Sequence, residues 1–304
     1  MISVAVLEAL KGFVPEENIH VQELMKNHTT FKVGGPAECL IELENAGQLC
    51  KVQHYLHQLE LPFVVLGNGS NVLVSDKGYK GVVLQIGKKM NAIRVEGNHV
   101  IAQAGALMSQ VSRVAMEHGL TGLEFASGIP GTVGGGVVMN AGAYGGEMSQ
   151  VVSMVTVVDA NGEIMELDNA TMEFGYRYST IRNQPFTVTE VAFLLKEGDK
   201  EQIKATIDEL TAKRREKQPL EYPSAGSTFK RPEGHFAGQL IMEAGLRGFR
   251  VGGAQVSEKH CGFVINSGDA TAEEIFNLIR EVQLRVKEQF HVDLEPEVVF
   301  LGFS

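Results

Sequence analysis

The chain has 304 residues, of which 44% are hydrophobic and 21% charged, so it suits two or three compact domains with ordinary buried cores. Its formal net charge of −10 disfavours nucleic acid as a partner. The sequence lacks the run of about 20 apolar residues that a membrane span needs. Its start lacks a basic leader and a cleavage-type ending, and its three cysteines have no short spacing. We therefore expect a cytoplasmic protein without a signal peptide, a membrane span or disulfides.

The first block of the chain, to about residue 88, combines helix and strand patterns. A short helix and an irregular segment are predicted up to about residue 30. The elements predicted after them are strands at Glu38–Glu42, Phe63–Leu66, Val72–Val74 and Val82–Ile86, and a helix at Ala46–Leu59. The order strand, helix, strand indicates an α/β unit.

The second block, residues 89–197, is dominated by hairpin patterns. A helix at Leu107–His118 is expected to end at Gly119. Asn161-Gly162 predicts a tight primed turn, because both dipeptide positions tolerate positive φ. The predicted strands are Ile93–Val95, His99–Ala104, Val151–Val158, Ile164–Leu167 and Phe186–Leu195.

The third block, residues 198–304, is helix-rich. Ile203, Ile207 and Leu210 share one face of a predicted helix that stops before Pro219. Thr271 and Glu274 form a capping-box pattern ahead of another helix, and the last predicted strand is Val298–Leu301. The three blocks together predict the α+β class, with the last strand able to return to the first block.

The sequence does not match the common motifs for dinucleotide binding, phosphate binding, metal binding or hydrolase catalysis. Gly67–Val72 begins like a dinucleotide fingerprint but has valine where the third glycine belongs. Gly81–Lys89 has the wrong spacing for a phosphate-binding loop. His54 and His57 lack a third metal ligand, and no Gly-x-Ser-x-Gly motif of hydrolases occurs.

Two glycine-rich loops remain, Leu66–Asn71 and Ala126–Gly136, the second followed by Asn140–Gly146. Each glycine costs about 0.5–1 kcal/mol relative to alanine through the entropy of the unfolded chain. Backbone N–H groups lying against a pyrophosphate would justify that cost. Tight turns at strand ends are the alternative, but two such loops favour a nucleotide cofactor.

A basic stretch lies between Lys213 and Arg231. It contains six Lys or Arg residues against Glu216 and Glu221, a local balance of +4 in an acidic protein. Such a stretch attracts a phosphate-bearing ligand. For Lys213–Lys217, cations that complement the end of a helix are an equally good interpretation.

The loops and four further motifs, in this order, resemble the UDP-N-acetylenolpyruvoylglucosamine reductase (MurB) family over nearly the whole chain. The matching segments are Thr30–Gly35, Gly67–Asn71, Ser127–Gly135, Tyr176–Ser179, Ala225–Lys230 and Glu295–Val298. The resemblance implies an FAD-binding domain of the vanillyl-alcohol-oxidase-like (PCMH) type, in two α/β subdomains at residues 1–88 and 89–197. Residues 198–304 would form an α+β substrate domain.

The resemblance also implies a cofactor and a reaction. NADPH would reduce FAD, and the flavin would reduce the enolpyruvyl group of UDP-N-acetylglucosamine enolpyruvate to give UDP-N-acetylmuramate for peptidoglycan. Oxidases of the wider group that attach their flavin covalently often use a histidine in the first loop. This chain has Ser70 and Asn71 in that region, so we expect non-covalent FAD. The implied cofactor-binding residues are Gly67, Asn68, Gly69, Ser70, Asn71, Ser127, Gly128, Ile129, Pro130, Gly131, Thr132, Gly134 and Gly135.

Three catalytic residues follow from the same motifs. Arg177 would bind the substrate carboxylate, and Arg182 is the nearby alternative. Ser227 would donate a proton to carbon, although a serine in a Gly-Ser turn is the ordinary interpretation of the sequence alone. Glu297 would polarise the developing enol, with Glu295 as competitor. The implied substrate-binding residues are Lys217, Lys230 and Arg231.

Other features stay open. His260 is a weak candidate for the flavin surroundings. Gly245–Ser267 contains no tyrosine, so we assign the chain to a shorter type of the family that lacks a tyrosine lid. The sequence does not fix the oligomeric state, and we expect a monomer.

Two other functions are compatible with part of this pattern. A flavin oxidase of small alcohols would not need the basic stretch Lys213–Arg231. A non-catalytic nucleotide-binding scaffold would use the glycine loops only to sense a ligand. Flavin colour and NADPH consumption separate these functions from the reductase.

Overall fold

The computed structural model describes residues 2–303, which form two compact units. The first unit contains residues up to 21, 39–68 and 81–213. The second contains residues 22–38, 69–80 and 214 onwards. The predicted three-part division at residues 88 and 197 stays a prediction.

Seven α-helices lie within residues 2–303, and none is both long and apolar enough to cross a membrane. They are α1 (Val4–Leu10), α2 (Ala46–Gln58), α3 (Met108–Glu117), α4 (Val133–Val138), α5 (Lys200–Lys217), α6 (Ala237–Glu243) and α7 (Ala272–Phe290). The sequence predicted α2, α3, α5 and α7 closely, and Gly119 follows α3 with φ of 68° as expected of a helix stop.

Eighteen strands, several of them only two residues long, lie in the same part of the chain. They are β1 (Ile19–Leu24), β2 (Pro36–Glu42), β3 (Phe63–Leu66), β4 (Val72–Val74), β5 (Tyr79–Gln85), β6 (Ile93–Glu96), β7 (His99–Gln103), β8 (Leu120–Thr121), β9 (Gly142–Ala143), β10 (Gly146–Glu147), β11 (Val152–Val158), β12 (Ile164–Asp168), β13 (Thr187–Leu194), β14 (Lys196–Glu197), β15 (Arg250–Val251), β16 (Ala254–Val256), β17 (Val264–Asn266) and β18 (Val299–Leu301).

The first unit is built on an antiparallel sheet of five strands in the order β12-β11-β13-β7-β6. A four-stranded sheet has the order β1-β2-β5-β3, with β3 parallel to β5. One core joins these strands to α2 and α3, and its fully buried members include Val52, Leu84, Val155 and Val191. Alternation of apolar residues along β11 and β13 places one face of each strand in this core.

The second unit has its own core around α7. Ile275, Leu278, Ile279 and Val282 are fully buried at helical spacing. They share a core with Ala254 and other residues of the three-stranded sheet β15-β16-β17. The last strand, β18, pairs in parallel with β4, which lies among the first 88 residues of the chain.

The structure corrects two local predictions and adds two helices that the sequence did not indicate. The segment predicted to be irregular before residue 30 contains β1. The Asn161-Gly162 turn is not a primed two-residue turn, because only Gly162 of the pair has a positive φ. The Asp159 carboxylate instead accepts from the N–H groups of Asn161 and Glu163 and holds a wider loop. Helices α4 and α6 were not predicted.

The predicted capping box at α7 is confirmed. Thr271 Oγ1 accepts from Glu274 N at 3.1 Å, and the Glu274 carboxylate accepts from Thr271 N at 3.0 Å. The N–H groups of Thr271 and Gly253 both donate to the Glu274 carboxylate and lower its pKa. The carboxylate therefore stabilises the helix above the ordinary carboxyl pKa, and this contribution is lost as pH falls through the lowered pKa.

Thr271→Ala should lower the free energy of unfolding by about 0.5–2 kcal/mol, because it removes the acceptor for Glu274 N. Thermal unfolding followed by calorimetry measures this loss. Thr211→Ala, a substitution inside α5, is the matched control and should be close to neutral. Equal stability of the Thr271 variant and the control would contradict the capping role.

Candidate functional site

The two glycine loops meet at Gly67 in the first unit. A Cβ atom on Gly67 would lie 2.2 Å from Thr132 Oγ1, so only glycine allows this approach. Beside it, Asn68 Nδ2 donates to the carbonyl of Pro130 at 2.7 Å. The beginning of the first loop therefore rests directly on the second.

The C-terminal part of the second loop runs into α4, which fixes its position. Thr132 precedes the helix, and its hydroxyl accepts from Gly135 N. Val133 N and Gly134 N donate to Ala106 O and Ala104 O, which follow β7. A Cβ on Gly134 would lie 2.9 Å from Ala104 Cβ, so its glycine lets the helix sit close to the chain after β7.

Three backbone amides at the meeting point of the loops are unused by the protein. The N–H groups of Asn68, Gly131 and Thr132 donate to no acceptor within residues 2–303. Amides of this kind, in a glycine-rich turn at the start of a helix, bind phosphate oxygens. The residues present therefore fit the pyrophosphate of FAD.

The rest of the first loop belongs to the second unit and is anchored there. Gly69 has φ of 61°, and a Cβ on it would lie 2.0 Å from the carbonyl of His28. Its own carbonyl accepts from Thr30 N. Asn71 Nδ2 donates to Glu297 O at 3.1 Å. This part of the loop is thus tied to two of the predicted motifs, Thr30–Gly35 and Glu295–Val298.

Arg177 lies in a tight turn of the first unit. The backbones of Gly175 and Tyr178 exchange hydrogen bonds around it, and its φ is 56°. The Arg177 guanidinium lies over the Tyr176 ring, 5.2 Å from its centroid. Arg182 donates to the carbonyl of Arg177 at 2.9 Å. Arg182 therefore supports the backbone of Arg177.

In the second unit, Thr228 brings Ser227 and Glu297 into one neighbourhood. Thr228 is fully buried; its N–H donates to Gly262 O and its hydroxyl accepts from Val264 N. Its carbonyl accepts from Glu297 N at 2.8 Å. Ser227 is the exposed residue before this clamp, and Gly226 ahead of it has φ of 75°.

The candidate cations of the second unit differ in their partners. Lys230 forms an ion pair with Glu295, the competitor of Glu297. The Arg231 guanidinium lies over Phe236, 4.0 Å from the ring centroid. Lys217 is exposed at the end of α5. Of these three residues, Lys217 has the most accessible charge for a phosphate.

His260 is engaged by its own loop. Its Nδ1 accepts from Gly262 N at 3.1 Å, its backbone N–H donates to Ser257 Oγ, and its ring packs edge-on against Phe263. Burial lowers the pKa of the imidazole, so the neutral form is favoured. These contacts explain a structural role for His260 and leave its relation to the flavin a prediction.

Sequence reasoning missed two residues that organise the site. Thr228 forms hydrogen bonds with Gly262, Val264 and Glu297. A threonine inside the sequence Ser-Thr-Phe gives no sign that its side chain is buried. Asn140, which is 2% exposed, donates from Nδ2 to Gly175 O at 3.0 Å. Its place in a glycine-rich segment indicated a turn and not a contact with the Arg177 turn.

Comparison with known families agrees with this geometry. Residues 37–168 match the model of an FAD binding domain. Residues 218–301 match the model of the UDP-N-acetylenolpyruvoylglucosamine reductase C-terminal domain. An FAD domain followed by this domain defines a flavin-dependent oxidoreductase and confirms the predicted α+β class.

The chain belongs to the UDP-N-acetylenolpyruvoylglucosamine reductase family. It is 50% identical over 296 residues to the reductase of Caldanaerobacter subterraneus subsp. tengcongensis, covering 97% of this chain and 98% of that one. It is also 50% identical to the Clostridium tetani reductase, covering 94% and 93%. The crystal structure of the Thermus caldophilus reductase (MurB) superposes with a TM-score of 0.81 at 37% identity, over 93% of this chain and 100% of that one.

Gly67→Ala should weaken FAD binding by about tenfold or more, since relieving the clash with Thr132 costs about 1–3 kcal/mol. Fluorescence titration of the apoprotein with FAD measures the affinity. Gly87→Ala is the matched control, because a Cβ there meets only Gln85 Cγ at 3.8 Å. Adding Thr132→Ala to Gly67→Ala should restore part of the affinity. Unchanged binding by Gly67→Ala would show that the loops need not touch.

Proposed function

We propose that the chain reduces the enolpyruvyl group of UDP-N-acetylglucosamine enolpyruvate with NADPH, giving UDP-N-acetylmuramate for peptidoglycan synthesis. FAD, which the amides of Asn68, Gly131 and Thr132 would hold by its pyrophosphate, would supply the hydride-transfer chemistry between NADPH and the enolpyruvyl double bond. The unused amides of Asn68, Gly131 and Thr132 support a non-covalent pyrophosphate site. The placement of Ser227 and Glu297 around Thr228 is the observation that carries the proposed reaction.

Arg177 is assigned to the substrate carboxylate. Hydride arriving at the terminal carbon leaves negative charge on the adjoining carbon and its carboxylate, and a preorganised cation stabilises that charge. A guanidinium offers two parallel N–H donors that match a carboxylate. The tight turn and the bond from Arg182 hold the Arg177 backbone in one conformation, which supports this assignment.

Ser227 is assigned to protonation of the adjoining carbon. A serine hydroxyl is a weak acid, but an enolate carbon is basic enough to take its proton when the geometry is fixed. Ser227 is exposed, and the clamped Thr228 fixes the backbone beside it. An exposed hydroxyl on a rigid backbone is the arrangement that this step needs.

Glu297 is assigned to polarise the developing enol. The bond from Glu297 N to Thr228 O favours Glu297 over Glu295, because it holds the Glu297 backbone close to Ser227, the neighbour of Thr228. Lys217 is assigned to the substrate phosphates, with Lys230 and Arg231 as further contacts. The partners of Lys230 and Arg231 make these two the weaker assignments.

We place the enzyme in the cytoplasm as a monomer that binds neither nucleic acid nor membrane. The net charge of −10 supports the exclusion of nucleic acid. Nucleotide-sugar and NADPH substrates are consistent with a cytoplasmic enzyme. The shorter family type without a tyrosine lid also stays a proposal, supported by the tyrosine-free segment Gly245–Ser267.

Ser227→Ala should slow substrate reduction by about 100-fold or more while leaving flavin reduction by NADPH nearly intact, because protonation follows flavin reduction. Anaerobic stopped-flow absorbance measures the two half-reactions separately. Ser227→Cys keeps a proton donor and should retain part of the substrate half-reaction. Equal losses in both half-reactions would remove Ser227 from protonation.

Arg177→Lys should slow substrate reduction by about 10- to 100-fold despite the retained charge, because the two-donor fork is lost. Steady-state kinetics with varied enolpyruvyl UDP-sugar measures the change. Arg113→Lys, an exposed substitution on α3, is the matched control. Turnover of the Arg177 variant equal to that of the control would exclude the carboxylate role.

A further inference from the structure

The Arg177 turn has a backbone that arginine does not favour. Gly175 N donates to Tyr178 O at 3.0 Å, and Tyr178 N donates to Gly175 O at 3.2 Å. Arg177 takes the position of this turn where a positive φ usually selects glycine. A non-glycine residue in that region is strained and persists only where its surroundings impose it. Something outside the turn must therefore hold it.

Asn140 is the buried side chain that reaches the turn. It is 2% exposed, and its Nδ2 donates to Gly175 O, the carbonyl that also accepts from Tyr178 N. Its Oδ1 accepts from Ser149 N at 2.9 Å, which fixes the orientation of the amide. Both ends of this amide are thus used, and the donor end points to the turn.

Asn140 also lies just beyond α4, separated from the last helical residue by Met139 alone. Its N–H donates to Val137 O at the end of that helix, and its φ of 42° is one that asparagine tolerates better than most residues. A second bond joins the same places, since the fully buried Ser179 donates from Oγ to Val138 O at 3.0 Å. The turn is therefore joined to the C-terminal end of α4 on both sides, through Asn140 on one side and directly through Ser179 on the other.

The other end of α4 begins at Thr132 in the second glycine loop. One short helix thus connects the loop that contacts Gly67 to the turn that carries Arg177. We propose that Asn140 is a positioning residue, which fixes Arg177 relative to the second glycine loop through α4. The catalytic consequence of this inference rests on the role of Arg177 in the proposed function.

Asn140→Asp is the sharpest test, because it keeps the acceptor for Ser149 N and replaces only the donor to Gly175 O. At alkaline pH, where the carboxyl is ionised, it should slow substrate reduction by at least about tenfold, as expected when a binding group is misplaced. Flavin reduction by NADPH and FAD affinity should change less than about twofold. Acidification restores a donor and should reduce the defect.

Asn169→Asp is the matched control. Asn169 donates from Nδ2 to Ser149 O and Val152 O, so this change damages the neighbouring backbone without touching the Arg177 turn. It should affect both half-reactions equally. If Asn140→Asp does the same, Asn140 has only a structural role and the inference is overturned. Should Asn140→Asp fail to fold with flavin, Ser179→Ala replaces it, with a smaller loss expected in the same half-reaction.

Two further measurements separate this inference from the proposed function. Hydrogen exchange at the Tyr178 amide should accelerate in Asn140→Asp and not in Asn169→Asp, whatever Arg177 does in catalysis. In an Arg177→Ala background, Asn140→Asp should cause little additional loss of substrate reduction. Full additivity, or unchanged exchange at Tyr178, refutes the positioning role. A fast substrate half-reaction in Arg177→Ala alone refutes the proposed role of Arg177 instead.

Discussion

The close approach of Gly67 to Thr132 is the constraint on which the flavin assignment depends. No side chain larger than hydrogen fits at Gly67, and Asn68 bonds to Pro130 beside it. At this contact three backbone amides of the first unit have no acceptor among residues 2–303. Unpaired backbone donors are costly when buried and useful where an anion binds. The second glycine loop also leads into α4, and the C-terminal end of α4 is hydrogen-bonded to the Arg177 turn.

In the second unit, hydrogen bonds of the buried Thr228 fix the backbone beside Ser227. An exposed serine is an effective proton donor only if its backbone is fixed, and Ser227 has the flexible Gly226 before it. Thr228 supplies the rigidity through one bond from Glu297 N and two to the segment around Gly262 and Val264. A buried polar residue with all of these bonds satisfied orders the chain at little cost. Thr228 therefore fixes the backbone next to Ser227 and Glu297, the two residues to which the proposed function assigns catalytic roles.

The sequence predicted much of this arrangement because its signals are local. The capping box at Thr271 and the periodicity of α2 and α3 reflect contacts between residues close in the chain, and the glycine loops are visible in the sequence by composition alone. Helix α4 was missed because Val133–Val138 contains three glycines, whose helix propensity is poor, and tertiary contacts with Ala104 and Ala106 stabilise it. Asn140 and Thr228 were missed because decisive partners of their side chains, Gly175 and Val264, lie 35 and 36 residues away in the chain. The assignment of Arg177, Ser227 and Glu297 came from family resemblance, and no pattern in the residues alone selects them.

Anaerobic titration of the flavin spectrum tests the central claim most directly. The account predicts that the purified protein is yellow, that NADPH bleaches it, and that one equivalent of UDP-N-acetylglucosamine enolpyruvate then restores the oxidised spectrum without oxygen. A bleached flavin that returns only when oxygen is admitted would contradict the account, because the electrons would then have no path to the enolpyruvyl group.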